Sequence, residues 1–282
     1  MSGSITLENR FGVNKMELIS LKYAIFVIVL LVLYYCFPKK YRWYVLLAGS
    51  MAYYVIICKW YVLFIIFTIC TTYGSTIWID KLLKKQNAIV KSHKEDWDRQ
   101  TRKEYKEKGR KKRVAVMLFA LLCNFGILAF LKYIPYAGEL GLLLPLGISF
   151  YTFQSMGYVM DVYREIVEPE KNFLKVALFV SFFPQIIQGP IAIYDKLAGQ
   201  LYEGHSLRLE NLQKGALLVL WGVMKKLVIA DRAVNIINFV MDKPMDFSGT
   251  YVFFAAVVYA LQLYADFSGG IDIVRGIAEM LA

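Results

Sequence analysis

The sequence contains little of what metal binding or disulfide bonding needs. Its four cysteines, Cys36, Cys58, Cys70 and Cys123, are scattered through apolar segments, and no CxxC spacing occurs. Zinc sites and disulfide frameworks depend on defined cysteine spacings, so no metal site and no disulfide framework is predicted. The four cysteines are interpreted as small packing residues.

Two further features are absent from the sequence, a cleavable signal peptide and a series of short alternating strands. The first apolar run, 18–37, follows a mixed-charge leader, 1–17, and has no small-residue cleavage site before Pro38. We therefore interpret this run as a membrane span, which leaves 1–17 as an extracytoplasmic leader. A transmembrane β-barrel is not predicted, because its alternating pattern is missing.

What the sequence does contain is apolar residues in long runs. Hydrophobic residues make up 58% of the 282 residues, and the mean hydropathy is +0.46. Runs of about 20 apolar residues are long enough to span a bilayer as helices. We predict an all-α, multi-pass membrane protein, with three spans in 18–80 and a core in 114–282. The predicted spans before the core and at its start are 18–37, 41–58, 60–79 and 114–133.

The positive charge is concentrated in 81–113, which holds 14 basic and 5 acidic residues although the whole chain carries a net charge of only +11. Glutamates and aspartates precede basic residues by four positions here, which favours a helix. We predict a cytoplasmic interfacial helix with its basic side chains toward anionic lipid. The positive-inside rule then places the N-terminus outside. It also explains the charge without nucleic-acid binding, which is not expected.

The stretch 142–193 is apolar but contains residues that interrupt helices. Pro145 and Gly147 lie near the start of its first segment, and Pro184 near the end of its second. A broken helix persists in lipid only where protein or a water-filled cavity satisfies the freed backbone groups. The stretch is therefore either the wall of an internal tunnel or a pair of kinked helices. In the second case, its glutamines bond to neighbouring helices. These glutamines are Gln154, Gln185 and Gln188.

The C-terminal third contains charged residues within apolar segments. Lys225, Lys226, Asp231 and Arg232 interrupt 212–240, and four charges at mid-depth in a single span are costly. We predict two shorter helices, one ending near 221–226 and the other beginning near Asp231. A last span is predicted over 251–267, followed by a new helix that begins near 270.

Four blocks of sequence together resemble the membrane-bound O-acyltransferase family. They most resemble its bacterial branch, which contains the alginate O-acetylation protein and the D-alanyl transfer protein of teichoic acids. The likeness is close from 142 onward and is limited to hydrophobic pattern before it. The blocks are Leu144–Gln154 with Asp161–Arg164, Ser181–Gln185 with Gly189–Ile191, Lys225–Lys226 with Ile229–Asp231, and Tyr264–Gly269 with Asp272.

The resemblance implies a ring of helices around a tunnel in a bacterial plasma membrane. It implies a cytoplasmic thioester donor, either acetyl-coenzyme A or an acylated carrier protein, and no tightly bound cofactor. A tunnel histidine of the family acts as general base on a hydroxyl acceptor. The acceptor is cell-surface polysaccharide or an extracytoplasmic acetyltransferase.

No catalytic residue is assigned within the chain. His93 and His205 match no family position, and the family histidine is expected beyond Ala282, because relatives continue past that residue. The chain is therefore expected to be an inactive fragment that ends before the catalytic helices.

The residues expected to line the tunnel carry polar groups within or at the end of apolar segments. Asp266 could orient a histidine from elsewhere; alternatively, it caps the helix predicted to begin near Gly270. A polytopic transporter or channel and a non-catalytic docking scaffold are the alternative functions, since broken helices and buried polar groups also fit a transporter. The candidate residues are Gln154, Gln185, Gln188, Tyr264, Asp266 and Ser268.

Overall fold

A computed structural model of the chain describes residues 19–93, 95–133 and 145–282, with the side chain of Pro244 excepted. Within these ranges the secondary structure is helical and contains no strand. The leader predicted for 1–17 and the start of the first block lie outside the described residues. The helices are α1 Leu21–Cys36, α2 Arg42–Cys58, α3 Val62–Ser92, α4 Arg99–Tyr133, α5 Ile148–Tyr163, α6 Phe173–Ser181, α7 Phe183–Gln188, α8 Tyr194–Tyr202, α9 Leu209–Met224, α10 Asp231–Met241 and α11 Gly249–Leu281.

Three helical stretches of the described chain are long and apolar enough to cross a membrane, namely Lys39–Ser92, Arg99–Tyr133 and Gly249–Leu281. This confirms the all-α membrane class. The predicted starts of the second and third spans agree with α2 and α3 to within two residues. Short 3₁₀ turns, Lys39–Tyr41 and Lys59–Tyr61, separate the first three helices, with Lys59 at a positive φ of 47°.

The basic segment 81–113 is not the single helix that was predicted. Helix α3 continues past the apolar text to Ser92, and α4 begins at Arg99, so the two ends form a helical hairpin. Both extensions carry i,i+4 ion pairs, Asp80 with Lys84 at 2.6 Å and Glu107 with Lys111 at 3.6 Å. Such pairs support a solvated helix. The turn between the two helices explains why no single helix forms.

The aromatic residues of this hairpin lie together. Trp97 stacks on His93 with 4.9 Å between ring centroids and contacts Tyr105 at 5.1 Å. Arg102 donates two hydrogen bonds to the carbonyl oxygen of Trp97. The tip of the hairpin is therefore stabilised by ring contacts and by the hydrogen bonds of Arg102 to the turn.

The second segment of the central stretch is broken, as its proline predicted. Helix α6 ends at Ser181, Phe182 adopts a non-helical backbone with ψ 107°, and α7 begins at Phe183. The preceding residues 145–147 form a turn that leads into α5, with Gly147 in the left-handed region at φ 69°. A Cβ on Gly147 would collide with the backbone oxygen of Ile186. Gly147 therefore allows the start of α5 to approach α7.

The C-terminal third differs from its prediction in two respects. The two helices in 212–240 end and begin where expected, at Met224 and Asp231, but a π-helical segment, Lys225–Ala230, joins them without a break. The last span does not stop at 267, because α11 runs continuously from Gly249 to Leu281. The helix predicted to begin near 270 is therefore the second half of α11.

The chain forms two compact units. In the first unit, 46–186 with 191–203, α3 packs against α4, α5 and α6, and α6 packs against α8. In the second unit, whose described residues are 19–45, 187–190 and 204–282, α11 packs against α1, α9, α10 and the π-helical segment. Each unit has its own buried residues.

Candidate functional site

The six candidate residues are divided between the two units. Gln154 and Gln185 belong to the first unit, whereas Gln188, Tyr264, Asp266 and Ser268 belong to the second. The sequence blocks that carry the family resemblance divide in nearly the same way, except that Gly189 and Pro190 of the second block belong to the second unit. Inside the first unit, Gly147 of the first block packs against Ile186, the residue directly after Ser181–Gln185 of the second block. The third and fourth meet inside the second unit.

In the first unit, Gln154 satisfies a backbone group that the helix break sets free. An uninterrupted helix would pair the N–H of Phe183 with the carbonyl oxygen of Phe179. Here, Phe183 N–H donates instead to Ser50 Oγ at 3.2 Å, and Gln154 Nε2 donates to the Phe179 oxygen at 2.9 Å. Ser50 and Gln154 are both almost completely buried. Two side chains thus replace the two halves of one lost helical hydrogen bond.

This geometry gives Gln154 a structural function and explains how the break persists in an apolar environment. Broken helices need neighbouring protein groups to satisfy the freed backbone, and Gln154 on α5 and Ser50 on α2 are such groups. The interpretation in which glutamines bond to neighbouring helices is therefore correct for Gln154.

We predict that Gln154→Leu destabilises the chain by about 1–3 kcal/mol, because the buried Phe179 carbonyl oxygen loses its donor. Unfolding in detergent, followed by circular dichroism against denaturant concentration, measures the change. Gln100→Leu is the matched control, since Gln100 is exposed at the start of α4. Equal stability of the two variants would contradict this function for Gln154.

Gln185 is also buried and lies in α7, directly after Pro184. Its backbone N–H donates to the carbonyl oxygen of Phe182 at 3.1 Å, which closes the first turn of α7. Proline at the start of a helix has no N–H to leave unsatisfied. Pro184 and Gln185 therefore restart the helix after the break.

Gln188 packs against α11 in the second unit. A Cβ on Gly270 would collide with the Gln188 amide group. The Gln188 side chain thus occupies the space that a larger residue at 270 would fill.

The most strongly polar feature of the second unit is a pair of ion pairs between the π-helical segment and α11. Lys225 Nζ lies 2.6 Å from Asp272 Oδ2, and Lys226 Nζ contacts Asp266 Oδ1. Both lysine side chains and Asp272 are less than a fifth exposed, whereas Asp266 is 39% exposed. We call these four residues the lysine–aspartate cluster. A π-helical turn within an α-helix is often found at a functional site.

Close approach of α9 and α11 places this cluster. A Cβ on Gly222 would collide with the carbonyl oxygen of Gly269, and one on Gly215 would lie 2.5 Å from that of Gly276. Small residues at helix interfaces in membranes let backbones approach closely. The side-chain stems of Lys225 and Lys226 pack against Gly269. The glycines therefore bring both ammonium groups within reach of the carboxylates on α11.

Asp266 does not cap a helix. It lies in the middle of α11, so the prediction that it caps a helix beginning near Gly270 is wrong. Glycines at 269 and 270 suggested a boundary, but the packing of Gly222 and Gln188 against them keeps the helix continuous. Asp266 instead neutralises Lys226, and its exposed oxygen can accept a hydrogen bond from a further donor.

The two remaining candidates differ in exposure. Tyr264 is 69% exposed on α11, whereas the hydroxyl of Ser268 is buried and has no hydrogen-bond partner among the described residues. A buried polar group usually has a partner. Ser268 therefore retains an unused donor two residues after Asp266.

Sequence reasoning included Asp266 but left Lys225, Lys226 and Asp272 out of the candidate site. The two lysines were assigned to the end of a short helix, because charges within a span are costly. The sequence did contain a signal for this pairing. The apolar segment 212–240 and the last predicted helix region carry charges of opposite sign. Paired charges of this kind are found together in membrane interiors.

Neither histidine lies among the candidate residues. His93 follows the end of α3 and stacks on Trp97. The backbone carbonyl oxygen of His205 accepts a hydrogen bond from Arg42 Nη1, and its N–H donates to Tyr34 Oη at 3.4 Å. Their surroundings are thus a hairpin turn and a connecting loop.

Ala282, beyond which the family histidine is expected, directly follows α11 in the second unit. Its N–H donates to the carbonyl oxygen of Glu279 at 3.3 Å, and its own carbonyl oxygen accepts a hydrogen bond from Asn211 Nδ2 at 2.9 Å. Ala282 is thus held against α9, on which Asn211 lies. None of these contacts tests where a catalytic histidine lies, so its position beyond Ala282 stays a prediction.

Comparison with known proteins supports the sequence resemblance. No family model matches the chain. A peptidoglycan O-acetyltransferase of Helicobacter pylori is 32% identical over 199 residues, which cover 57% of this chain and 38% of that protein. Probable alginate O-acetylases AlgI of Pseudomonas syringae and Pseudomonas aeruginosa are 36% and 34% identical over 49% and 50% of this chain, and over 26% of their own lengths. The matched regions thus span well under half of each relative.

Proposed function

We propose that this chain, which is related over about half of its length to bacterial O-acetylases of the membrane-bound O-acyltransferase family, forms part of a membrane enzyme that acetylates cell-surface polysaccharide. The main structural support is the pairwise meeting of the four sequence blocks. Gly147 of the first block packs against Ile186, the residue directly after Ser181–Gln185 of the second block, and the third and fourth blocks adjoin at the lysine–aspartate cluster.

In the proposed reaction, an acetyl group passes from a thioester to a hydroxyl oxygen. The hydroxyl loses its proton to a general base, its oxygen bonds to the thioester carbonyl carbon, and the carbon–sulfur bond breaks to release a thiol. The donor is acetyl-coenzyme A or an acylated carrier protein on the cytoplasmic side. The acceptor is a polysaccharide, or a partner acetyltransferase, on the outer side of the plasma membrane.

Within this function, the lysine–aspartate cluster positions the reacting groups. The exposed oxygen of Asp266 can accept a hydrogen bond from an imidazole N–H and so orient a catalytic histidine supplied from beyond Ala282. The Lys226 ammonium group holds the other oxygen of the carboxylate. In the second unit, Gln188, Tyr264 and Ser268 are proposed to line the tunnel; in the first unit, Gln154 and Gln185 support the helix break.

Deleting the gene is expected to lower the alkali-labile acetate content of the cell-surface polysaccharide, and the intact gene should restore it. Asp266→Asn should fail to restore it, because the amide cannot neutralise Lys226 or orient an imidazole in the same way. Asp242→Asn is the matched control, since Asp242 is exposed after α10. Unchanged acetate after deletion would refute the proposed function, and full rescue by Asp266→Asn would refute the function of the cluster.

The purified 282-residue chain is expected to transfer no acetyl group by itself. Its two histidines lie in a hairpin turn and a loop, where each is engaged by neighbouring residues. Radiolabelled acetyl-coenzyme A and a polysaccharide acceptor, incubated with the chain in detergent, provide the assay. Transfer above background that is abolished in Asp266→Asn or Gln188→Leu would show that the chain is catalytic. Binding of an acylated carrier protein without transfer would support the docking-scaffold alternative.

A further inference from the structure

The hairpin between α3 and α4, together with Glu165, borders an open pocket of about 530 Å³. Four basic side chains line it: Lys103, Lys106, Arg110 and Arg113. Its volume is in the range of pockets that bind small molecules. We call it the hairpin pocket.

The charge of the hairpin pocket is unbalanced. Two carboxylates line it, but each already has a basic partner: Glu107 lies 3.6 Å from Lys111, and Glu165 lies 2.7 Å from Arg113. Among the residues that the structure describes, no carboxylate pairs with Lys103, Lys106 or Arg110. The pocket therefore presents positive charge that an anionic ligand could neutralise.

Two buried polar atoms at this pocket lack hydrogen-bond partners within the described chain. Arg113 is 8% exposed and its Nε has no acceptor, although its Nη1 bonds to Glu165. Gln86 is 6% exposed; its Nε2 donates to the Lys106 carbonyl oxygen at 3.0 Å, while its Oε1 has no donor. Buried donors and acceptors without partners are rare. Both atoms are buried in the wall of the pocket, so a ligand would reach them only after the Arg113 and Gln86 side chains turn toward it.

The backbone at Glu165 supports the same interpretation. Its φ is 61°, in the left-handed region that residues other than glycine seldom adopt. Such conformations persist where the surrounding structure imposes them, often at ligand sites. Here, the unusual backbone holds the Glu165 carboxylate against the buried guanidinium group of Arg113, which fixes the orientation of that group.

We propose that the hairpin pocket binds a phosphate-bearing ligand. Arginine guanidinium groups match the spacing of phosphate oxygens, and lysines add charge without fixed geometry. Arg110 provides an exposed guanidinium group and Lys103 and Lys106 provide exposed ammonium groups, while Arg113, paired with Glu165, forms the pocket wall beside them. The phosphate group could belong to a soluble diphosphate compound or to a phospholipid headgroup, and the experiment below distinguishes these sources.

The test uses the full chain in zwitterionic detergent and two probes. Calorimetry measures binding of inorganic pyrophosphate, and native mass spectrometry measures retention of added phosphatidic acid against phosphatidylcholine. The pocket variant, Lys103→Gln with Arg110→Gln, removes two lining cations. The control variant, Lys108→Gln with Lys112→Gln, removes the same charge from exposed positions of the same helix that do not line the pocket.

We expect the pocket variant to weaken binding of at least one probe by about tenfold or more, since charge-assisted hydrogen bonds are lost. The control variant should change it by less than about twofold, because Lys108 and Lys112 do not line the pocket. Loss for pyrophosphate alone indicates a soluble ligand, and loss for phosphatidic acid alone indicates a lipid. Equal losses in both variants, or no binding of either probe to the unmodified chain, would overturn the proposal.

Discussion

Replacing Asp272 by alanine is expected to lower the free energy of unfolding by about 3–5 kcal/mol, the cost of removing one partner of a buried ion pair. Lys225 and Asp272 are 17% and 14% exposed, and their charged atoms lie 2.6 Å apart. Without the carboxylate, the Lys225 ammonium group loses its ion-pair partner and keeps its contact with the Trp221 ring, 5.7 Å from the ring centroid. Denaturant unfolding in detergent, followed by circular dichroism, measures the change.

A double-mutant cycle separates the ion pair from the packing around it. Lys225→Met with Asp272→Leu should recover most of the lost stability, because well-packed apolar residues often replace a buried ion pair without loss. The matched control is Glu210→Ala. Glu210 forms an i,i+4 pair with Lys214 at 2.7 Å, but both side chains are mostly exposed, so the unfolding transition should not move. A similar loss of stability in Asp272→Ala and Glu210→Ala would show that the Lys225–Asp272 pair stabilises the chain no more than an exposed ion pair does.

The second large effect is expected at the crossing of α9 and α11. A Cβ on Gly222 would collide with the carbonyl oxygen of Gly269 and would lie 2.9 Å from the backbone N of Ile273. Backbone atoms cannot rotate away as a flexible side chain can. Gly222→Ala is therefore expected to destabilise the second unit by about 1–3 kcal/mol or more, the usual cost of overpacking.

Gly126→Ala is the matched control for Gly222→Ala. Gly126 lies within α4, and no atom would approach its added Cβ within 4 Å. Because alanine favours a helix over glycine, this substitution should stabilise the chain by about 0.5–1 kcal/mol. Opposite signs for the two glycines would establish that α9 and α11 touch at Gly222. If Gly222→Ala proves as stable as the unmodified chain, the close crossing is wrong.

The break in the central stretch could be predicted from the sequence because proline acts locally. Pro184 cannot donate a helical hydrogen bond, so an interruption near it follows from its chemistry alone. The partners of the freed groups could not be predicted in the same way. Ser50 is 133 residues away from Phe183 in sequence, and nothing in its local sequence marks it as the acceptor.

Helix ends that depend on packing were predicted poorly. Gly269 and Gly270 have low intrinsic helix propensity, which suggested a boundary near 270. The helix nevertheless continues through both glycines. Their small size leaves room for Gly222 and Gln188, which pack against them. Likewise, α3 and α4 extend beyond their apolar runs into the basic segment, where charged pairs between successive turns favour helix.

The sequence by itself determined the membrane class, the approximate spans and the four blocks that relate the chain to O-acetylases, because hydrophobic runs and short motifs are local properties. Only the tertiary structure decided that Gln154 satisfies a broken helix, that Asp266 pairs with Lys226, and that the basic hairpin borders a pocket. Each of these depends on which helices approach one another. That approach is set by glycines and buried polar atoms whose partners lie far away in the chain.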